Sequence, residues 1–153
     1  MKFLKIILIF QFILLTSCGY KAMNNTYDYK FAIIDYELVG NSQVNKKLEK
    51  NILRFIENDN ASRFFKIKIS SNLIKNTTSK DSSGNDSSYQ IKIIANLTIT
   101  ENDVLIDNKK IQKQTDYNTL ESKFELKQYE SLLIKDLTDQ INLNINNYLA
   151  IIE

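Results

Sequence analysis

Cys18 is the only thiol in the chain, and its position suggests a chemistry for it. It closes the run Leu15-Thr16-Ser17-Cys18 and is followed by Gly19. A single thiol cannot form an intramolecular disulfide. The chain has no His, so the His/Cys zinc sites and the Ser-His-Asp and Cys-His catalytic sets cannot be assembled. Carboxylate, Lys or Tyr mechanisms are all that remain for an enzyme. The Asp and Glu residues form no close pair in an apolar setting of the kind acid–base catalysis needs, and Asp103 and Asp107 read as turn residues. The expectation is therefore a protein without enzymatic activity, cofactor or metal.

The segment before Cys18 gives that thiol its meaning. Lys2 and Lys5 form a positive start, and Ile6 to Leu15 is a ten-residue apolar stretch interrupted only by Gln11. As a helix it covers roughly 15 Å, about half of a ~30 Å hydrocarbon core. That is too short to span and suits a signal-peptide core. Leu15-Thr16-Ser17-Cys18-Gly19 resembles the bacterial lipobox. The resemblance implies cleavage before Cys18, a diacylglycerol on its sulfur and an acylated amine. Several acyl chains anchor stably where one alone is marginal. Bacterial sorting commonly uses Asp after the Cys for inner-membrane retention, so Gly19 implies the outer membrane. The division is then 1–17 lipoprotein signal peptide, 18–28 lipidated tether and 29–153 folded domain.

Loss of Lys2 and Lys5 leaves 18 basic and 18 acidic side chains, a neutral mature chain. Bulk charge gives no drive toward nucleic acid, and any basic site must come from local clustering. Lys66, Lys68 and Lys92 fall on the outward phase of two strands and would form a basic patch if those strands pair. Lys75 and Lys80 extend it toward a loop, and Lys109, Lys110 and Lys113 add to it from a further strand. Ammonium groups there would suit phosphates and acidic sugars; the plainer reading is solubility and protection of edges. Tyr36, Leu38 and Ile94 also read as outward, which suggests a partner surface.

These residues must be positioned by a β-α-β-β-β-α chain. Strands are expected at 29–38, 64–75, 89–100 and 104–117. Phe65, Ile67 and Ile69 alternate with Lys66, Lys68 and Ser70, and Tyr89 to Ile99 alternate likewise, so one face is wet. A helix over 42–57 carries Val44, Leu48, Ile52, Phe55 and Ile56 on one side, with Asn41 or Ser42 as N-cap. A helix over 122–150 repeats Tyr129, Leu133, Leu137, Ile141, Ile145 and Leu149, opened by Ser122 and Glu125 as a capping box. Residues 76–88 lack large apolar side chains and read as a polar hairpin loop that could enter a barrel lumen. One-sided strands and helices imply an α+β two-layer sandwich: a four-stranded mixed sheet with two helices on one face. The first two strands should be parallel and the later pairs antiparallel.

The order of these features is similar to that of the LPS-assembly lipoprotein LptE family. The residues that carry the resemblance are L-T-S-C-G-Y at the mature start, F-A-I-I-D-Y-E-L, F-K-I-K-I-S, the Ser/Asp/Asn stretch, Y-Q-I-K-I-I-A-N-L-T-I and the final Y-E-S-L-L-I-K-D-L-T-D-Q-I. It implies a lipoprotein at the periplasmic face of the outer membrane that plugs an LptD-like β-barrel, assists its assembly and contacts lipopolysaccharide. Family members often carry Pro near the mature start, and this chain has none. Two other readings are a lipid-tethered periplasmic binding module for a small apolar ligand or peptide, which would need a pocket between sheet and helices, and a carboxylate hydrolase.

Overall fold

The computed structural model describes residues 29–56 and 58–152. Four strands, β1 (Phe31–Gly40), β2 (Arg63–Lys80), β3 (Asp86–Glu101) and β4 (Val104–Asn118), form one sheet in the order β1-β2-β3-β4. Helix α1 (Ser42–Ile52) runs on into a short 3₁₀ turn at Leu53–Phe55, and α2 spans Lys123–Ile151. β1 and β2 are parallel, while β2–β3 and β3–β4 are antiparallel. The expected α+β two-layer sandwich is the fold.

Local chemistry explains the element ends. Asn41 caps α1, its Oδ1 accepting from the Gln43 and Val44 amides at 3.1 Å. Ser122 caps α2 by accepting from the Glu125 amide at 3.3 Å. Gly40 joins β1 to α1 with φ +107°, and a Cβ there would lie 1.9 Å from the Ser71 carbonyl oxygen, so only glycine fits. Ser71 is buried beneath that junction; its hydroxyl bonds Asn45 Oδ1 at 2.6 Å and accepts from the Asn41 amide at 3.0 Å. Asn102 and Asp103 turn β3 into β4 with φ of 51° and 62°, the left-handed pair of a tight hairpin.

The core lies between sheet and helices. Phe65, Ile67 and Ile69 from β2 and Ile91 to Ile99 on alternate positions of β3 meet Val44, Leu48 and Ile52 of α1 and Leu137, Ile141, Ile145 and Leu149 of α2. Each such side chain withdrawn from water stabilises by about 1.5–3 kcal/mol. At one end Phe31 stacks on Phe55 at 5.4 Å and lies 5.6 Å from Phe65. We call this end the base. It also holds the chain's entry at Tyr29, the β3–β4 turn and the C-terminus of α2, where Arg63 donates to the Ile152 carbonyl.

Two expectations about strands need correction. Residues 76–88 are not a loop: β2 continues to Lys80 and β3 restarts at Asp86. Side-chain pairs across the ladder, Thr77 to Asp86 at 3.0 Å and Thr78 to Ser88 at 3.1 Å, replace the missing apolar pairs. Only 81–85 turn, organised by Asp81, whose carboxylate accepts from the Ser83 and Asn85 amides; these bonds hold it below the usual carboxylate range. The second correction is a β-bulge in β1. Ile33 pairs with Phe65 and Asp35 with Lys66, leaving Ile34 as the extra residue.

The long elements also outlast the short ones. β1 pairs with β2 only up to Gly40 and Ser71, so the outer halves of β2 and β3, with the end of β4, form an arm backed by the first half of α2 alone.

Candidate functional site

The open face of the sheet, opposite the helices, carries Asp35, Glu37 and Val39 of β1, Phe64, Lys66, Lys68, Ser70, Asn72 and Ile74 of β2, and Gln90, Lys92, Ile94, Asn96 and Thr98 of β3. β4 supplies Asn108, Lys110, Gln112, Gln114 and Asp116. Lys66, Lys68 and Lys92 therefore share one face, as the alternation requires.

Their charge does not stand alone. Lys66 Nζ lies 2.6 Å from Asp103 Oδ1, and Lys68 Nζ lies 2.8 Å from Glu37 Oε2. The Asp103 carboxylate bond, helped by Asp35, raises the Lys66 ammonium pKa, and the same pair lowers that of Asp103. Lys92 is half-buried between Ile74 and Gln114, and Lys110 lies opposite Asn96; neither forms an ion pair with a described residue. The face is thus largely neutral and rich in amides and hydroxyls. Thr98 Oγ1 donates to Asn108 at 2.7 Å, and Gln90 to Asp116 at 2.9 Å. Such a surface offers many directional hydrogen bonds and little net field.

Several expected members of the site lie elsewhere. The bulge at Ile34 flips the phase of β1, so Tyr36 and Leu38 pack toward the helices instead of facing outward. Tyr36 donates to Glu49 of α1 at 3.0 Å, and this bond raises the phenol pKa. Ile94 is on the open face as expected, half-buried between Asn72 and Gln112. Lys75 is on the helix side: its Nζ lies 2.5 Å from Glu130 Oε1 and 4.3 Å from the Tyr89 ring centroid. Lys109 and Lys113 share that side, with Lys109 Nζ 4.9 Å from the Tyr148 ring centroid. Lys80 ends β2 beside the turn, exposed. Cys18 lies outside the described residues.

A cationic cleft escaped the sequence reading. Lys47, Lys50 and Arg54 of α1 and its 3₁₀ extension face Lys135, Asp139 and Asn142 of α2 across a groove of about 550 Å³. The spacings 47-50-54 and 135-139-142 are single helical stripes, which could have flagged it. Lys47 pairs with Asp139 at 3.3 Å, and the helices are pinned by Asn51 donating to Asn146 at 2.7 Å. The helices run parallel, since Lys47 meets Asp139 and Asn51 meets Asn146. Among the described residues no group of three or more His, Cys, Asp or Glu could hold a metal ion. No helix among them is long and apolar enough to cross a membrane.

No family model and no curated protein sequence matches the chain. Solved structures do share the fold. Rare lipoprotein B from Shewanella oneidensis superposes with a TM-score of 0.58 at 15% identity, covering 76% of this chain and 93% of that one. A minor lipoprotein from Acinetobacter baumannii gives 0.60 at 14% identity, covering 80% and 91%. Lipoprotein B from Nitrosomonas europaea gives 0.55 at 12% identity, covering 76% and 79%. At such identities the likeness is one of fold.

Proposed function

We propose that this chain is an outer-membrane lipoprotein of the LptE type, acylated on Cys18, that plugs an LptD-like β-barrel and assists lipopolysaccharide delivery. The observation that carries the reading is a conjunction: a lipobox-like Leu15-Thr16-Ser17-Cys18 precedes a sandwich whose fold recurs in proteins described as lipoproteins. The acyl chains hold the domain at the periplasmic face. The amide-rich open face and the polar arm suit the wall of a hydrated lumen, where a net charge would be costly and hydrogen bonds are abundant. Of the five lysines expected to meet lipopolysaccharide, Lys92 and Lys80 are the ones without a carboxylate partner among the described residues; Lys66, Lys68 and Lys75 are already paired.

The competing reading, a tethered carrier of a small apolar ligand, needs space between sheet and helices. That space is occupied by fully buried side chains, Phe65, Ile69, Ile93, Leu97, Ile141 and Ile145 among them. The test is extraction of the full chain from outer membranes under mild detergent. Co-purification of a large β-barrel and an intact mass carrying acyl chains on Cys18 are expected. A monomer with an unmodified thiol, or one that carries a small molecule, would refute the proposal.

A further inference from the structure

The base of the domain is unusually greasy for a solvent-facing end. Val104 and Leu105 follow the β3–β4 turn, Phe64 and Ile34 lie near the same end of β2 and β1, and Leu53 and Ile151 stand at the ends of the two helices. All six are exposed, from 48% for Phe64 to 78% for Ile151. They come from three of the four strands and from both helical segments, and lie at one end. Scattered apolar residues need no account, but a convergent set does.

Two ion pairs lie at this end. Arg63 pairs with Glu101 at 2.6 Å and Lys66 with Asp103 at 2.6 Å, so two carboxylates that would be repelled by anionic lipid are neutralised. Arg54, exposed beside Leu53, offers a cation at headgroup height. The chain enters here too: Tyr29 precedes β1, and only residues 18–28 separate it from Cys18. Eleven residues reach at most about 40 Å when extended, so acyl chains on Cys18 would keep this end, rather than the arm, near the bilayer.

The geometry points to a second membrane contact: the apolar base seats in the interfacial region of the leaflet that holds the acyl chains. It rests on the proposed acylation of Cys18. Two contacts fix an orientation that a single point of attachment leaves free.

The chain contains no Trp, so a single indole reports its own depth. The full lipidated chain is reconstituted in phosphatidylethanolamine–phosphatidylglycerol vesicles containing dibrominated phosphatidylcholine, as Leu105→Trp, Val104→Trp or Phe124→Trp. Phe124 is at least as exposed but lies at the far end, on the first turn of α2. The expected result is a blue shift and loss of emission for the first two variants and neither for Phe124→Trp. Vesicle flotation and intact mass, read on the same samples, report acylation separately. Protein that floats, carries its acyl chains and leaves the Leu105→Trp indole unquenched overturns the inference while leaving acylation standing. Equal quenching of all three variants, or a blue shift without bromine quenching, also overturns it.

Discussion

Glu130 is the point at which the first half of α2 is fastened to the arm. Its Oε1 lies 2.5 Å from Lys75 Nζ and 2.7 Å from the Tyr117 hydroxyl, which donates to it. Replacement by Ala strands both donors. The Lys75 side chain is 42% exposed and regains water, so its share is at most about 0.5–1 kcal/mol. Tyr117 is only 5% exposed and cannot rehydrate in place, so its stranded hydroxyl costs about 1–3 kcal/mol. The sum, about 1.5–4 kcal/mol, corresponds to a fall in Tm of roughly 6–16 °C for a domain of this size. Glu130→Gln keeps an acceptor for the phenol and should recover more than half of the loss. Thermal unfolding followed by far-ultraviolet circular dichroism measures the midpoint. Hydrogen exchange should locate the extra opening in residues 113–136. A midpoint for Glu130→Ala within about 1 °C of the parent would mean that tertiary packing, not this carboxylate, holds the arm to the helix.

Three other perturbations follow from the geometry. Burial first, then the Glu130 hydrogen bond, raises the Tyr117 pKa above its usual 10.0; the unfolded phenol ionises earlier than the folded one, so stability is complete below pH 10 and declines above it, and Tyr117→Phe should flatten that alkaline decline in urea midpoints taken across pH 9–11. Gly40→Ala must drive a methyl into the Ser71 carbonyl from a left-handed backbone and should cost about 3 kcal/mol or more in chemical denaturation, with an unaltered midpoint contradicting the close approach. On the proposed lipopolysaccharide surface, Lys66→Gln with Asp103→Asn removes a pair that is already neutral and should leave binding within about twofold, whereas Lys92→Gln should weaken it more; surface plasmon resonance showing the opposite order would count against a neutralised face.

The alternation of Phe65-Lys66-Ile67-Lys68-Ile69 and of Ile91 to Ile99 was legible because a period of two has a single explanation when one face is buried. The parallel first pair and the helix caps at Asn41 and Ser122 were legible for the same kind of local reason. The phase of β1 was not. Phe-Ala-Ile-Ile-Asp-Tyr is apolar on both parities, and nothing in it marks where an extra residue is inserted, so simple alternation puts Tyr36 and Leu38 on the opposite side from the one they occupy. The polar stretch 76–88 misled in another way. Its Ser and Thr residues pair across the ladder through hydroxyls, which hydrophobic periodicity cannot register. Of the basic residues, sequence located Lys66, Lys68 and Lys92 on one face but could not foresee that Glu37 and Asp103 would neutralise two of them. Those partners come from a strand and a turn brought alongside only by the fold.

From Asn72 to Lys80 one flank of β2 has no neighbouring strand among the described residues, because β1 stops at Gly40. A bare flank of that length is a template on which any extended peptide can zip, fibril included. The residues along it, Asn-Leu-Ile-Lys-Asn-Thr-Thr-Ser-Lys, turn polar toward the tip, and the register slips twice between Thr77 and Lys80. Hydroxyls, ammoniums and broken register make that stretch a poor zipper. The hydrophilic tip thus also acts as insulation: it lets a sheet remain open at one side without recruiting copies of itself.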